Sequence, residues 1–194
     1  TYQKILNEAI AELREEEFAK TGETPGETAP PQPATHISDT QIDTDREAFI
    51  PDAYISSSAE KIRLYRELDH ITDDRRLALF EKNLIDRFGP VPEATRELFD
   101  IVRMRWVCIE LGFEKAIVKN GIMILKFIEN QHSAYYKSTV FGNILKIATR
   151  PDSKFIFKQN NNKLSIVVRN IKNISEATAN LCELAAKVHG EGVV

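Results

Sequence analysis

The sequence predicts an α+β fold: helices followed by antiparallel strands and a closing C-terminal helix. Three observations predict it. Apolar residues recur at three- and four-residue intervals between Ser57 and Gly112. The pattern then switches to short apolar runs around Lys119-Asn120-Gly121, and Asn-Gly is the strongest short hairpin signal. A helical period returns between Ser175 and Val188. Helices and antiparallel strands that follow one another in blocks belong to the α+β class.

The elements follow in order. Thr1 to Phe18 carries an apolar stripe of Tyr2, Ile5, Leu6, Ala9, Ile10 and Leu13, with Glu8, Glu12, Glu15, Glu16 and Glu17 elsewhere, and reads as an amphipathic helix. A helix this short is marginal alone in water and needs something to pack on. Opening on Thr1 with a helical pattern is what we expect of a piece of a longer protein. Gly22, Pro25, Gly26, Pro30, Pro31 and Pro33 then break any helix, so residues 19–41 read as a flexible linker. Thr35 to Phe49 reads as an acidic extended arm, and Ile50 to Ile55 as an ordered entry into the domain around Pro51.

Ser57 and Glu60 have the spacing of a capping box. The helix they open carries Ile62, Leu64, Tyr65, Leu68 and Ile71. Asp73 caps a second helix, with a stripe of Leu77, Phe80, Leu84, Ile85 and Phe88 and a stop at Gly89. Pro90 to Glu93 launch a third, with Pro92 in its first turn. Its apolar face is Leu98, Ile101, Val102, Trp106 and Ile109, and Gly112 ends it. Glu114–Val118 and Ile122–Ile128 form one hairpin. Phe155–Lys158 and Lys163–Arg169 form a second, around Asn160 to Asn162. Between them Phe141 to Ala148 reads as a helix. Ser175 caps the last helix, with Ala177, Leu181, Leu184 and Ala185 inward.

Charge is unevenly distributed. Residues 1–52 hold 4 Lys+Arg against 12 Asp+Glu, residues 53–112 hold 10 against 11, and residues 113–194 hold 12 against 6. A basic back half permits a nucleic-acid-binding role for 113–194, although its lysines are dispersed and also suit exposed strand edges. Cys108 and Cys182 lie in apolar surroundings and read as buried thiols in a cytoplasmic protein. No apolar run has the roughly 18–20 residues that a membrane helix needs.

The motifs of catalysis are missing from this sequence. Nothing matches Gly-x-x-x-x-Gly-Lys followed by Ser or Thr, Gly-x-Gly-x-x-Gly or Gly-x-Ser-x-Gly. The four histidines, His36, His70, His132 and His189, are scattered and have no zinc-ligand spacing. No catalytic, cofactor-binding or metal residue is assigned. The densest unusual segment is Leu84 to Glu93 (LIDRFGPVPE), where Asp86 stands at the helix end that disfavours an anion. Such a carboxylate gains from a cationic partner, inside the domain or outside it.

Three stretches, Phe49–Ile55 (FIPDAYI), Arg63–Leu68 (RLYREL) and Leu84–Glu93, in this order and spacing, resemble the C-terminal domain of bacterial transcription-repair coupling factors. Tyr2–Leu13 resembles the last helix of that family's translocase motor. The resemblance divides the chain into 1–18, a terminal helix of an upstream translocase module; 19–41, a linker; and 42–190, a C-terminal regulatory domain. It implies a domain without catalysis that folds back on an N-terminal excinuclease-B-like module and hides the surface that binds excinuclease A. The full-length protein would be a DNA translocase using ATP and magnesium, with RNA polymerase, excinuclease A and DNA as partners. The resemblance implies partner contact through Asp86, with Arg87 in the same motif. It places Asn83 where some relatives have an acid.

Overall fold

The computed structural model describes residues 36–190, so the helix expected over Thr1–Phe18 lies outside the described residues. A five-stranded sheet has the order β1-β2-β3-β5-β4, with β1 Gln41–Thr44, β2 Phe113–Lys119, β3 Ile122–Phe127, β4 Ile156–Asn160 and β5 Lys163–Arg169. All pairs are antiparallel except β1 with β2. Three helices, α1 Ser58–His70, α2 Asp74–Phe88 and α3 Glu93–Leu111, connect those two parallel strands. A 3₁₀ turn at Ala134–Lys137 and α4 Thr139–Ala148 follow the first hairpin, and α5 Ile174–Gly190 closes the domain.

Local chemistry explains most boundaries. Ser57 accepts from the Glu60 amide and Asp73 from the Arg76 amide, satisfying donors that the first turns of α1 and α2 leave over. Gly89 and Gly112 end α2 and α3 at positive φ, 86° and 82°. Asn120 and Gly121 both have positive φ, as a type I′ hairpin turn requires, and Asn161 and Asn162 repeat this between β4 and β5.

Several expectations need correcting. The stretch read as an extended arm contains β1, and Gln41, assigned to the linker, begins it. Thr40 is already buried and donates its hydroxyl to the Phe113 carbonyl at 2.7 Å. Pro92 occupies the cap position before α3 and not its first turn. Ser138, capping through its Oγ, starts α4 at Thr139. The cap of α5 is Asn173, whose Oδ1 accepts from the Glu176 amide at 2.8 Å, so Ser175 lies inside the helix. Ile174 between them is fully buried, and that packing fixes the start of the helix two residues early.

There are two cores. One side of the sheet supplies Ala116, Val118, Met123, Leu125, Phe127, Ile166 and Val168 to a cluster shared with α3, α4 and α5. A second cluster joins Ile50 and Ile55 to Leu64 and Leu68 of α1, Leu77, Phe80 and Leu84 of α2, and Leu98 and Phe99 of α3. Helix α3 serves both, with Leu98 and Phe99 in one and Met104, Val107, Cys108 and Leu111 in the other. Of the stripe expected from its sequence only Leu98 is buried, while Ile101, Val102, Trp106 and Ile109 are half-buried, because the helix turns different residues into each of the two cores.

Tyr135 fastens the sheet core. Its ring covers Gly112, and its hydroxyl donates to the Leu111 carbonyl at 2.6 Å, one of the acceptors left at the end of α3. Burial pushes this phenol well above its ordinary range. The folded state therefore holds the proton to higher pH than the unfolded chain does. Stability from this source is complete below about pH 10, the ordinary tyrosine value, and falls as pH rises beyond it. Tyr135→Phe should cost about 1–2 kcal/mol at neutral pH by leaving the Leu111 acceptor unpaired. It should also flatten the alkaline loss of stability, measured by urea unfolding between pH 8 and 11. An unchanged alkaline slope would refute this assignment.

Candidate functional site

The three motif stretches meet around the C-terminal end of α2. The Ile50 amide donates to the Tyr65 hydroxyl at 2.8 Å, tying the FIPDAYI stretch to α1. The Tyr54 hydroxyl donates to the Gly89 carbonyl at 2.8 Å, and its ring packs edge-on against Phe88 at 5.9 Å. Burial, and then the nearby Glu81 carboxylate, raise this phenol above its usual value. Thr95 at the start of α3 donates to the Phe49 carbonyl at 3.0 Å. Tyrosines recur in these stretches because each buries a ring and supplies one polar handle to fix backbone that no helix or strand holds.

Arg87 belongs to this bracing. It pairs with Glu60 of α1 at 2.7 Å and lies over the Phe88 ring at 4.8 Å. Glu60 also holds Arg63, and hydrogen bonds from Arg63 and then Arg87 keep its carboxyl below the usual carboxylate range. Arg87 is thus a structural tie between α1 and α2, at the helix end that favours a cation.

Asp86 and Asn83 are different. Both are exposed on α2, and Asp86 makes no ion pair with any described residue. Beside them Ile85 is 44% and Leu79 59% exposed. The periodicity puts Ile85 in the buried stripe, as it does Ile62 of α1, which is 49% exposed. The inward set of α2 is the narrower Leu77, Phe80 and Leu84. Leu79, Asn83 and Asp86, at three- and four-residue spacing, share one outward face of α2 that carries an aliphatic side chain, an amide and a carboxylate, and Ile85 is exposed on its flank. Such a face suits partner recognition: the aliphatic groups supply area and the carboxylate supplies register. Leu79 was not anticipated. Its phase, two residues from Leu77 and one from Phe80, was the only signal for it in the sequence.

Comparison with known proteins bears on this arrangement. The profile of the TRCF domain family matches residues 44–138, a span that contains all three stretches and their meeting point. A transcription-repair-coupling factor of Rickettsia bellii is 32% identical over 160 residues, covering 80% of this chain and 13% of that protein. The chain belongs to the TRCF domain family. A transcription-repair-coupling factor from Mycobacterium tuberculosis is 31% identical over 107 residues, covering 55% of this chain and 8% of that protein. The chain therefore spans a small part of the curated relatives it matches. A crystal structure of the C-terminal domain of transcription-repair coupling factor superposes with a TM-score of 0.63 at 19% identity, covering 78% of this chain and 94% of that one. The TRCF domain thus has the α+β fold expected, with the shared architecture extending past the motif-rich half into the sheet.

Within the TRCF domain, Cys108 is buried on α3, and burial raises its thiol far above the usual cysteine range, which makes it unreactive. No three His, Cys, Asp or Glu side chains converge as a metal site among the described residues. No described helix is long and apolar enough to cross a membrane.

Proposed function

We propose that this domain is a regulatory, non-catalytic part of a DNA translocase that couples transcription to excision repair. It acts by clamping an N-terminal, excinuclease-B-like module of the same protein, and so masks the surface that recruits excinuclease A. The observation that carries the reading is Asp86: exposed, without an ion pair among the described residues, and set beside the exposed Ile85 on a corner that the rest of the motif holds rigid. Family membership supports the setting. ATP and magnesium would belong to the motor of the longer protein, since no phosphate-binding Gly-Lys motif occurs in this sequence. RNA polymerase, DNA and excinuclease A would likewise meet other parts of it.

The energetics favour a modest contact. Partners joined in one chain face each other at high effective concentration, so a weak interface suffices to stay closed. A weak interface also opens with a smaller differential affinity when polymerase engages. In a binding titration of the chain against the N-terminal module of the same protein, Asp86→Ala should weaken affinity about 10–100-fold, as expected for one charge-assisted hydrogen bond. Asn83→Glu, which adds the acid found in some relatives, should tighten it. Absence of binding at high concentration, or equal affinity for the wild type and Asp86→Ala, would sink the reading.

A further inference from the structure

The sheet gathers cations that the sequence scatters. Along each strand, residues facing away from the helices alternate with those buried in the sheet core, so the outer face can be read from the register. Lys115 of β2 lies opposite Lys126 of β3, Lys126 opposite Ser165 of β5, and Ser165 opposite Lys158 of β4. Four residues further along these strands, Lys119 of β2 and Arg169 of β5 flank Ile122 of β3. The line between the two is aliphatic, with Ile117, Ile124, Val167 and Ile156 in register. Asp43 of β1 is the acid among the strand residues of this face, and it pairs with Lys119 at 3.0 Å. Lys115, Lys126, Lys158 and Arg169 have no ion pair with a described residue.

Folding alone does not account for this arrangement. Lys115 and Lys126 face each other directly, and like charges so placed on a sheet repel. Lysine on an edge strand blocks unwanted pairing. However, β3 is the central strand, paired with β2 on one side and β5 on the other, so Lys126 guards no edge. Repelling cations held together are stabilised by a polyanion. From Lys115 to Lys158 the face spans three strand spacings, about 14 Å, and its two cationic lines lie four residues apart, also about 14 Å. Over about 14 Å of its axis a duplex carries about eight phosphates on its two strands, with about half turned to one side. The four cations without an ion pair match that number. The aliphatic line is no obstacle, because a lysine stem lies along apolar surface and carries its charge above it. Gln41 and Ser165, in register with the lysines, add neutral donors of the kind that position a phosphate. Among the strand residues of this face there is no aromatic side chain on which unpaired bases could stack. We propose that the outer face of the sheet binds the phosphate backbone of a nucleic-acid duplex, through Lys115, Lys126, Lys158 and Arg169. The face uses none of the clamp's residues, and its contact would add to whatever DNA the motor of the longer protein holds.

Fluorescence anisotropy of a labelled DNA duplex of about 20 base pairs, titrated with the full 194-residue chain, tests this. Binding should be detectable at roughly 50 mM salt and should weaken on the order of 100-fold by roughly 200 mM, the dependence expected of about four phosphate contacts. Lys126→Gln/Lys158→Gln, at two exposed positions, should weaken binding at least about 10-fold and reduce the logarithmic salt slope by about two. Lys137→Gln/Lys146→Gln removes the same charge from exposed positions on the 3₁₀ turn and α4, and should change neither quantity. Thermal unfolding of Lys126→Gln/Lys158→Gln should show a midpoint no lower than that of the wild type, because a repulsive pair is relieved. Absence of binding at the lower salt, or equal losses in the two double variants, would overturn the proposal. Tighter binding to the same strand unpaired would overturn it too. So would displacement of the duplex by poly-L-glutamate at an equal concentration of negative charge, which would assign the face to an acidic protein surface.

Discussion

Gly112→Ala should destabilise the domain by about 3 kcal/mol, because two separate costs fall on one methyl group. Gly112 sits at φ +82°, where an L side chain costs about 1 kcal/mol more than glycine. A Cβ there would also stand 2.2 Å from Cε2 and 2.6 Å from Cζ of Tyr135. That ring cannot give way cheaply: it is fully buried, held by its bond to the Leu111 carbonyl, and packed against Phe127 and Phe141. Overpacking of this kind adds roughly 1–3 kcal/mol. For a domain of this size, the sum lowers the melting temperature by about 6–12 °C. Gly121→Ala separates the terms. It has φ +75°, and the nearest atom to its new Cβ is the Ile171 carbonyl oxygen at 3.9 Å, so only the backbone cost of about 1 kcal/mol applies. Equal losses for the two variants in thermal unfolding would show that Tyr135 does not press on Gly112.

The same two glycines mark what a sequence can disclose. Helix caps and tight turns are written in a few adjacent residues, so Ser57, Asp73, Gly89, Gly112 and Asn120-Gly121 could be placed from local chemistry. The ring lying over Gly112 comes from 23 positions later, and nothing near Gly112 announces it. Strand β1 was missed for a related reason: it has one buried residue, Ile42, and its partner β2 follows three helices later. At the candidate site, Asp86 was legible as a charge at the wrong end of a helix. The exposure of Ile85 was not, because it follows Leu84 directly and the breadth of a buried stripe depends on how closely α1 and α3 approach.

Leu98→Ala carries the second large effect and asks whether the two cores stand or fall together. Leu98 is fully buried among α1, α2 and α3 in the helical core. Truncating a buried leucine costs about 2–5 kcal/mol, through lost transfer energy and the cavity left behind. The helical core has no sheet to lean on, yet its α3 continues without a break into Met104, Val107, Cys108 and Leu111 of the sheet core. Trp106 packs against both clusters, and Arg105, in the same stretch of α3, pairs with Asp69 of α1 and with Asp39 ahead of β1. Pulling the lower half of α3 out of register would therefore strip contacts from both cores at once. If unfolding is a single cooperative event, the slowest-exchanging amides of β3 report the stability of the whole domain. A loss of about 3 kcal/mol at Leu98 should then speed their exchange about 150-fold, although Leu98 lies in the other core. Unchanged exchange in β3, with the helical half alone destabilised, would mean that α3 can fray at its middle. The corner bearing Asp86 could then loosen without cost to the sheet. Cooperative loss instead means that the corner bearing Asp86 and the sheet form one rigid body, so that a partner bound at Asp86 would act on the whole domain.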